Sequence, residues 1–148
     1  MKETIKEALQ TANEYVYEGE YKDGIPNGKV KITWVNGEWD GDSYEGDWLD
    51  GKSTGKGKYK WANGDSYEGD FIDSKRTGKG KNIWANGDSY EGDYIENKRT
   101  GKGKLIWANG DSYEGDWLDD ERNGKGIYIY ANGKKEVQHW ENGKQLNI

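Results

Sequence analysis

The chain has 148 residues and a formal net charge of −6, and apolar residues make up only 31% of it. This length fits one domain, and so low an apolar share excludes a thick two-layer core. The absence of cysteine excludes disulfides, thiolate nucleophiles and zinc fingers, and the negative charge disfavours nucleic acid as a partner. The 8 Trp, 11 Tyr and 23 Gly nevertheless indicate an ordered chain. We expect a cytoplasmic protein, because the sequence shows neither a signal peptide nor a membrane-spanning apolar run.

The first residues, 1–16, differ from the rest of the chain. Ile5, Ala8, Leu9 and Ala12 follow the helical spacing i, i+3, i+4 and i+7, with charged residues between them. This pattern predicts a short amphipathic α-helix from Glu3 to Asn13. A helix this short is marginal alone in water, so we expect it to dock as a cap on the start of the following domain.

A repeat fills residues 17–148. The string Tyr-Glu-Gly-Asp-aromatic recurs every 23 residues, a variant of it precedes these copies, and a degenerate copy follows them. The six units begin at Tyr17, Tyr44, Tyr67, Tyr90, Tyr113 and Glu136. Four surplus residues, Glu38–Gly41, interrupt the connector after the first unit. Copies in such strict phase indicate a repeat architecture.

One unit, taken from Tyr44, shows what each repeat forms. The residues from Tyr44 to Trp48 alternate apolar and charged types, and the residues from Gly57 to Trp61 do so again, as β-strands with one solvated face do. Turn-forming residues separate the two strands, and we expect Asn63-Gly64 to form the tight, positive-φ turn into the next unit. The fold is therefore predicted to be all-β, a single-layer antiparallel meander or solenoid of about six hairpins.

The alternation also assigns the two faces of the sheet. Tyr44, Trp48 and Trp61 fall on one side together with the glycines, and the charged residues fall on the other. Glu45 and Asp47 then lie opposite lysines, where they can form cross-strand ion pairs. The rings form a ladder along one face.

These repeats closely resemble the MORN (membrane occupation and recognition nexus) family, whose unit runs Tyr-Glu-Gly-Glu-Trp, a variable Gly-Lys stretch and then Gly-x-Gly. The sequence departs from this pattern in three places. Val30 stands at the second glycine of the first unit, the Glu38–Gly41 insertion breaks the period, and the position of Gly51 becomes Ser74, Asn97 and Asp120 in later units. The resemblance implies hairpins added side by side into an elongated sheet. It also implies a role in protein interaction or dimerisation, with lipid binding proposed as well.

We expect the aromatic row to be a partner-binding groove, because a single-layer sheet has no second layer to cover it and long exposed aromatic strips mark binding sites. The partner would be a protein segment, either a peptide or a helix, or a second copy of the chain in a homodimer. It would lie between about Tyr67 and Trp117. The predicted groove residues are Tyr44, Trp48, Trp61, Tyr67, Phe71, Trp84, Tyr90, Tyr94, Trp107, Tyr113 and Trp117.

Four other interpretations stay open. The rings could be only the thin core of the protein. The rows of Lys and Arg at the hairpin tips and second strands could bind lipid headgroups such as phosphoinositides, and the aromatic ladder could bind glycan rings. The near-identity of the units is also typical of a consensus repeat protein that has no natural partner. The basic rows are Lys52, Lys56, Lys58, Lys60, Lys75, Arg76, Lys79, Lys81, Lys98, Arg99, Lys102 and Lys104.

Nothing in the sequence points to catalysis, a metal or a cofactor. His139 has no nucleophile or ligand set near it in the sequence, and Asp40-Gly41-Asp42 falls short of an EF-hand loop. The Gly-Lys strings lack the ending of a nucleotide-binding P-loop. We therefore expect a protein that is not an enzyme.

Overall fold

The computed structural model describes residues 2–6 and 14–147, in which the chain forms thirteen β-strands and no helix. The strands are β1 Lys2–Lys6, β2 Glu14–Lys22, β3 Ile25–Asn36, β4 Ser43–Leu49, β5 Lys52–Lys60, β6 Ser66–Ile72, β7 Lys75–Ile83, β8 Ser89–Ile95, β9 Lys98–Ile106, β10 Ser112–Leu118, β11 Glu121–Ile129, β12 Lys135–Glu141 and β13 Lys144–Leu146.

The chain divides into two compact units, each of which contains several repeats: the first unit is Met1–Lys75 and the second unit is Arg76–Ile148. The first holds β1 to β6 and the second holds β7 to β13, where β7 begins at the last residue of the first unit. Within each unit, every strand pairs antiparallel with the strand that follows it in the chain. Each unit is therefore one open layer in meander order, which confirms the predicted all-β class and hairpin repeat.

The predicted N-terminal helix is not confirmed. Residues 2–6 form β1, which pairs with β2 from Lys2 opposite Glu18 to Lys6 opposite Glu14, so the helix prediction is wrong for this stretch. The physical reason is that β1 satisfies the backbone N–H and C=O groups along the edge of β2, a gain that an isolated short helix cannot match. Residues 7–13 of the predicted helix lie outside the described residues.

Two kinds of turn join the strands, and the tight turn is not the one that the sequence suggested. The turns within the hairpins have positive φ at both central residues, for example 45° at Glu96 and 71° at Asn97, as a two-residue type I′ turn requires. In the Asn63-Gly64 turn, of these two residues only Gly64 has positive φ. There the Trp61 N–H donates to the Asp65 carbonyl (2.9 Å) and the Gly64 N–H donates to the Trp61 carbonyl (3.1 Å), which makes a three-residue loop.

The four-residue insertion lengthens one of these three-residue loops without changing how it closes. The Trp34 N–H donates to the Asp42 carbonyl (3.0 Å), and the Gly41 N–H donates to the Trp34 carbonyl (2.9 Å). These two bonds repeat the pattern of the Trp61 loop, so the loop closes with the same backbone hydrogen bonds and the four extra residues lie between them. Trp39, which the insertion carries, meets Trp34 edge to face at 6.1 Å and is 42% exposed.

The two glycines of the pair that four of the repeats carry have separate roles. The first glycine sits in a β-bulge: the register between β8 and β9 shifts after Gly92, and Gly101 in the bulge has φ of 111°. The second glycine, Gly103, faces the ring of Tyr90 so closely that a Cβ there would overlap the ring. The chain therefore needs a positive φ at one position and the absence of a side chain at the other.

The core of each thin unit contains its repeat tyrosines. Their rings are buried. Four of the five hydroxyls donate to a carbonyl three residues on, for example from Tyr44 to Asp47 (2.8 Å) and from Tyr90 to Asp93 (3.0 Å), whereas the buried Tyr113 hydroxyl has no hydrogen-bond partner among the described residues. Each of these four rings thus lies over its own hairpin, where its hydroxyl is hydrogen-bonded. The buried row consists of Tyr17, Tyr44, Tyr67, Tyr90 and Tyr113.

No helix in the part of the chain that the structure describes is long and apolar enough to cross a membrane.

Candidate functional site

Each unit presents an aromatic face and a charged face. The aromatic face carries the repeat tyrosines and the tryptophans, for example Tyr90 and Trp117, and the charged face carries the Lys, Glu and Asp residues of the same strands, for example Lys79 and Asp93. The register confirms the predicted opposition of charges, since Glu91 pairs with Lys81 on one side and with Lys104 on the other.

The predicted groove residues fall into two groups by exposure. The rings of the buried group are at most 5% exposed and belong to the core, so they offer a partner little surface. This group comprises Tyr44, Tyr67, Phe71, Tyr90, Tyr94, Tyr113 and Trp117. The remaining four, Trp48, Trp61, Trp84 and Trp107, are half-buried and keep accessible ring surface.

In the first unit, the structure brings the predicted residues together in two clusters. Phe71 meets Tyr44 at 5.4 Å and Tyr67 at 5.1 Å, both edge to face, and Trp48 lies 5.7 Å from Tyr44. Trp61 belongs to a different cluster near the loops, where it packs on Tyr59 at 4.8 Å.

The second unit repeats this arrangement and adds arginine. Trp117 lies edge to face between Tyr90 (5.4 Å) and Tyr113 (5.8 Å), and its indole N–H donates to the Gly103 carbonyl at 3.1 Å. The guanidinium of Arg99 lies 4.8 Å from the centre of the Trp117 ring. Cations at this distance are attracted to the ring faces, and Arg99 helps to cover the row.

A second cluster of the aromatic face includes residues that the sequence analysis did not place in the site. Trp107 stacks on Tyr128 at 5.3 Å, and Tyr128 packs on Tyr130 at 4.7 Å. All three are half-buried. Tyr128 occupies the same repeat position as Tyr59, so its place in the repeat could have identified it as a residue of the aromatic face.

Aspartates at the loops tie consecutive repeats together, and the sequence analysis did not identify them. Asp42 accepts hydrogen bonds from the Ala62 N–H (2.8 Å) and from the Tyr59 hydroxyl (2.5 Å) of the next repeat. Asp111 accepts the same two bonds from Ala131 (2.8 Å) and Tyr128 (2.7 Å). The hydrogen bond to Asp111 raises the pKa of Tyr128 to about 12, because the bond requires the protonated hydroxyl.

Four lysines of the charged face form ion pairs with aspartates. Lys29, Lys56, Lys79 and Lys102 pair with Asp47, Asp70, Asp93 and Asp116 across the strands. The hydrogen bond from Lys29 lowers the pKa of Asp47, which also accepts from the backbone N–H of Lys56 in the next bulge. The aspartates thus support the glycine bulge as well as neutralising the lysines.

The arginines of the predicted basic rows lie elsewhere. Arg76 and Arg99 point over the aromatic face, where Arg76 lies 5.5 Å from the centre of the Tyr94 ring. Their prediction as part of a basic surface with the lysines is therefore wrong in this respect. Arg99 and Gly103 are an even number of residues apart along β9, so the sequence alone already indicates that Arg99 lies on the same face as the glycines and the aromatic rings.

The described residues contain no group of three or more His, Asp or Glu side chains placed to hold a metal ion. His139 lies half-buried in β12, opposite Lys125 of β11 and Leu146 of β13.

The comparison with known families agrees with this geometry. The family model of the MORN repeat matches residues 17–39, 44–66, 67–89, 90–112 and 113–135, which cover most of the chain. The chain belongs to the MORN repeat family. Residues 40–42 of the gap between the first two matches lie in the lengthened loop, and Ser43 begins β4. The degenerate sixth repeat, which the family model does not match, still forms the hairpin of β12 and β13.

Among solved structures, the chain is similar to the TCP domain of SAS-4 (dCPAP) from Drosophila melanogaster, solved in complex with a proline-rich motif of Ana2 (dSTIL). The similarity has a TM-score of 0.46 at 18% identity and covers 95% of this chain and 90% of that chain. No curated protein sequence matches the chain.

Proposed function

We propose that this MORN repeat protein is a non-catalytic interaction scaffold that holds a peptide or a helix of another protein against its aromatic face. The observation that carries the proposal is the half-buried ring surface of Trp84, Trp107 and Tyr128, which the described residues of the second unit leave partly open. Tryptophan, tyrosine and arginine dominate the energetic centres of protein interfaces, and this face combines all three.

The energetics favour this face over the charged one. Each large aromatic side chain buries roughly 150–250 Å² when fully covered, so covering several half-open rings contributes a few kcal/mol at about 25 cal/mol per Å². Four of the exposed lysines already pair with aspartates, and surface ion pairs contribute little when exchanged for others. The lipid-headgroup alternative therefore has less support than the protein partner.

The test is site-specific photo-crosslinking in cells that express the chain. A benzoyl-phenylalanine residue replaces Trp107 on the aromatic face or, as the matched control, Glu114 on the charged face of the neighbouring strand. We expect crosslinked protein from position 107 and not from position 114. Crosslinks from position 114 alone, or from neither position, would contradict the proposal.

A double substitution provides the second measurement. Trp84→Ala/Trp107→Ala removes two half-open rings, and Lys81→Ala/Lys104→Ala removes two exposed side chains of the charged face from β7 and β9, the strands that these tryptophans follow. Both variants are first confirmed to be folded by circular dichroism. We expect only the tryptophan variant to lose the partner recovered by crosslinking.

A further inference from the structure

Three arginines occupy the same position of consecutive repeats in the second unit. Arg76, Arg99 and Arg122 each follow the repeat tyrosine by nine residues, and all three lie over rings of the aromatic face. The Arg122 guanidinium is the most closely stacked of them, at 3.6 Å from the centre of the Trp140 ring. It also lies 5.5 Å from Tyr113 and 5.8 Å from Trp107.

The first two arginines are satisfied within the chain by the turn residue of the next hairpin. Arg99 donates from Nε to Asp120 Oδ1 (3.2 Å) and from a terminal nitrogen to the Asp120 carbonyl (2.8 Å). Arg76 makes the same contacts with Asn97, at 3.4 Å and 3.0 Å, and a third with Asn82 at 3.1 Å.

Arg122 lacks this partner because the equivalent turn residue is Gly143, which has no side chain. The backbone bond of the turn is kept, since the Gly143 N–H donates to the Arg122 carbonyl at 3.1 Å. Within the part of the chain that the structure describes, no atom accepts a hydrogen bond from the Arg122 guanidinium and no carboxylate pairs with it. Its five N–H donors are held in place by stacking and are open to an incoming acceptor.

The environment of Arg122 favours a negatively charged ligand of low charge. Burial lowers the pKa of Arg122, and the nearby Arg99 adds to this effect, while Tyr113 and Tyr128 oppose it. A half-buried guanidinium that stays charged gains from an anionic partner. The adjoining Asp120 and Glu121 and the net charge of −6 disfavour a doubly charged phosphate or an anionic bilayer compared with a single carboxylate.

We propose that Arg122 anchors the partner on the aromatic face and that the partner is an acidic peptide segment, whose Asp or Glu carboxylate accepts two hydrogen bonds from the guanidinium. Apolar residues beside that carboxylate would lie on the open ring surface of Trp107 and Trp140. This inference rests on the proposed function and names the chemistry of its ligand.

The probe is a random dodecapeptide library displayed on phage and selected on the intact chain. We expect the selected peptides to be enriched in Asp and Glu beside apolar residues. For a synthetic selected peptide, Arg122→Gln should weaken binding by at least about tenfold, because a bidentate bond between charged groups is lost. Arg122→Lys keeps the positive charge but loses the two parallel N–H donors of the guanidinium, so its affinity for the peptide should lie between that of Arg122→Gln and that of the unmodified chain.

Gly143→Asn tests the same idea without touching Arg122. It gives Arg122 the internal acceptor that Asn97 gives Arg76, and Asn tolerates the turn, since φ is 71° at Asn97 and 80° at Gly143. The atoms nearest to the added Cβ belong to the carboxylate of Glu121, with an oxygen at 2.9 Å, and this flexible end of the side chain can move away. We expect weaker peptide binding with an unfolding temperature that is unchanged or higher.

Lys125→Gln is the matched control, because it removes a positive charge from the same strand on the charged face and should leave binding unchanged. Peptides that need Trp107 but show no acidic enrichment and bind the Arg122→Gln and Gly143→Asn variants normally would overturn this inference and leave the proposed function standing. A library without any binder that depends on Trp107 would overturn both. Arg122-dependent binding to phosphatidylserine vesicles, with no acidic peptide selected, would also overturn the peptide assignment.

Discussion

The ring of Tyr90 covers the Cα of Gly103 so closely that a methyl group at position 103 would overlap the phenol carbons and hydroxyl. The same relationship recurs between Tyr113 and Gly126 and, in the first unit, between Tyr44 and Gly57. A sheet with one layer thus builds its core by laying rings on backbone instead of packing two layers of side chains.

Gly103→Ala should therefore destabilise the protein strongly. The methyl group forces the buried Tyr90 ring or the strand to move, and such overpacking costs about 3 kcal/mol in the free energy of unfolding. Urea denaturation measures the change. Lys104→Ala, at the next and exposed position, is the control and should alter the free energy of unfolding by less than about 0.5 kcal/mol. Equal effects of the two substitutions would mean that the ring does not rest on this glycine.

Glu96→Asn should stabilise the protein. Glu96 has φ of 45° in a type I′ turn, a conformation that Asn adopts more readily, as Asn142 does at the equivalent position with φ of 48°. We expect a gain of about 0.5 kcal/mol in the free energy of unfolding, measured by urea denaturation. Glu91→Asn removes the same charge from a strand position and should be neutral or destabilising. A loss of stability in Glu96→Asn would argue against this turn type.

Asp42→Ala should weaken the connection between the first and second repeats. It removes the acceptor for both the Ala62 N–H and the Tyr59 hydroxyl, a loss of about 2–3 kcal/mol in the free energy of unfolding. Tyr59→Phe removes only one of the two bonds and should cost about 1 kcal/mol. Hydrogen exchange distinguishes them, since the Ala62 amide should lose protection in Asp42→Ala and keep it in Tyr59→Phe. An Ala62 amide that exchanges equally in both variants would contradict this role.

Stability should fall at alkaline pH. Burial raises the pKa of Tyr90, and burial raises the pKa of Tyr94 to about 12, while unfolded tyrosine titrates near 10. The fold favours the neutral phenol, so this contribution is complete below pH 10 and is lost as the pH rises through the folded values. Thermal unfolding between pH 9 and pH 12 should show a falling midpoint, with a smaller fall in Tyr94→Phe. If the unfolding midpoint falls as steeply with pH in Tyr94→Phe as in the unmodified chain, the effect comes from other groups.

Much of the fold could be predicted because the same alternation of apolar and charged residues recurs in every repeat. Period-two alternation around Tyr44 fixed which residues share a face, and the ion pair between Lys56 and Asp70 follows from that assignment. The positions of the hairpins followed from the repeat length alone. Strands that pair only with their sequence neighbours leave few alternative topologies.

The features that sequence analysis missed depend on neighbours two strands away or on backbone geometry. The bulge at Gly101 changes the register, and the type I′ turn consequently falls at Glu96–Asn97 and not at an Asn-Gly pair. The open donors of Arg122 follow from the absence of a side chain at Gly143, which lies in the next hairpin. The strand at residues 2–6 depends on the edge of β2, which no local pattern of those residues reveals.

The pairing of each strand with its sequence neighbour also determines how the chain can fold. Within each unit, contacts form between residues of adjacent hairpins, so only short loops have to close before a contact is made. Low contact order of this kind is associated with fast folding among small domains, in contrast to β-sandwiches, whose strands pair across long stretches of chain. A meander of this type can add its hairpins in the order in which the ribosome releases them, without waiting for the end of the sequence.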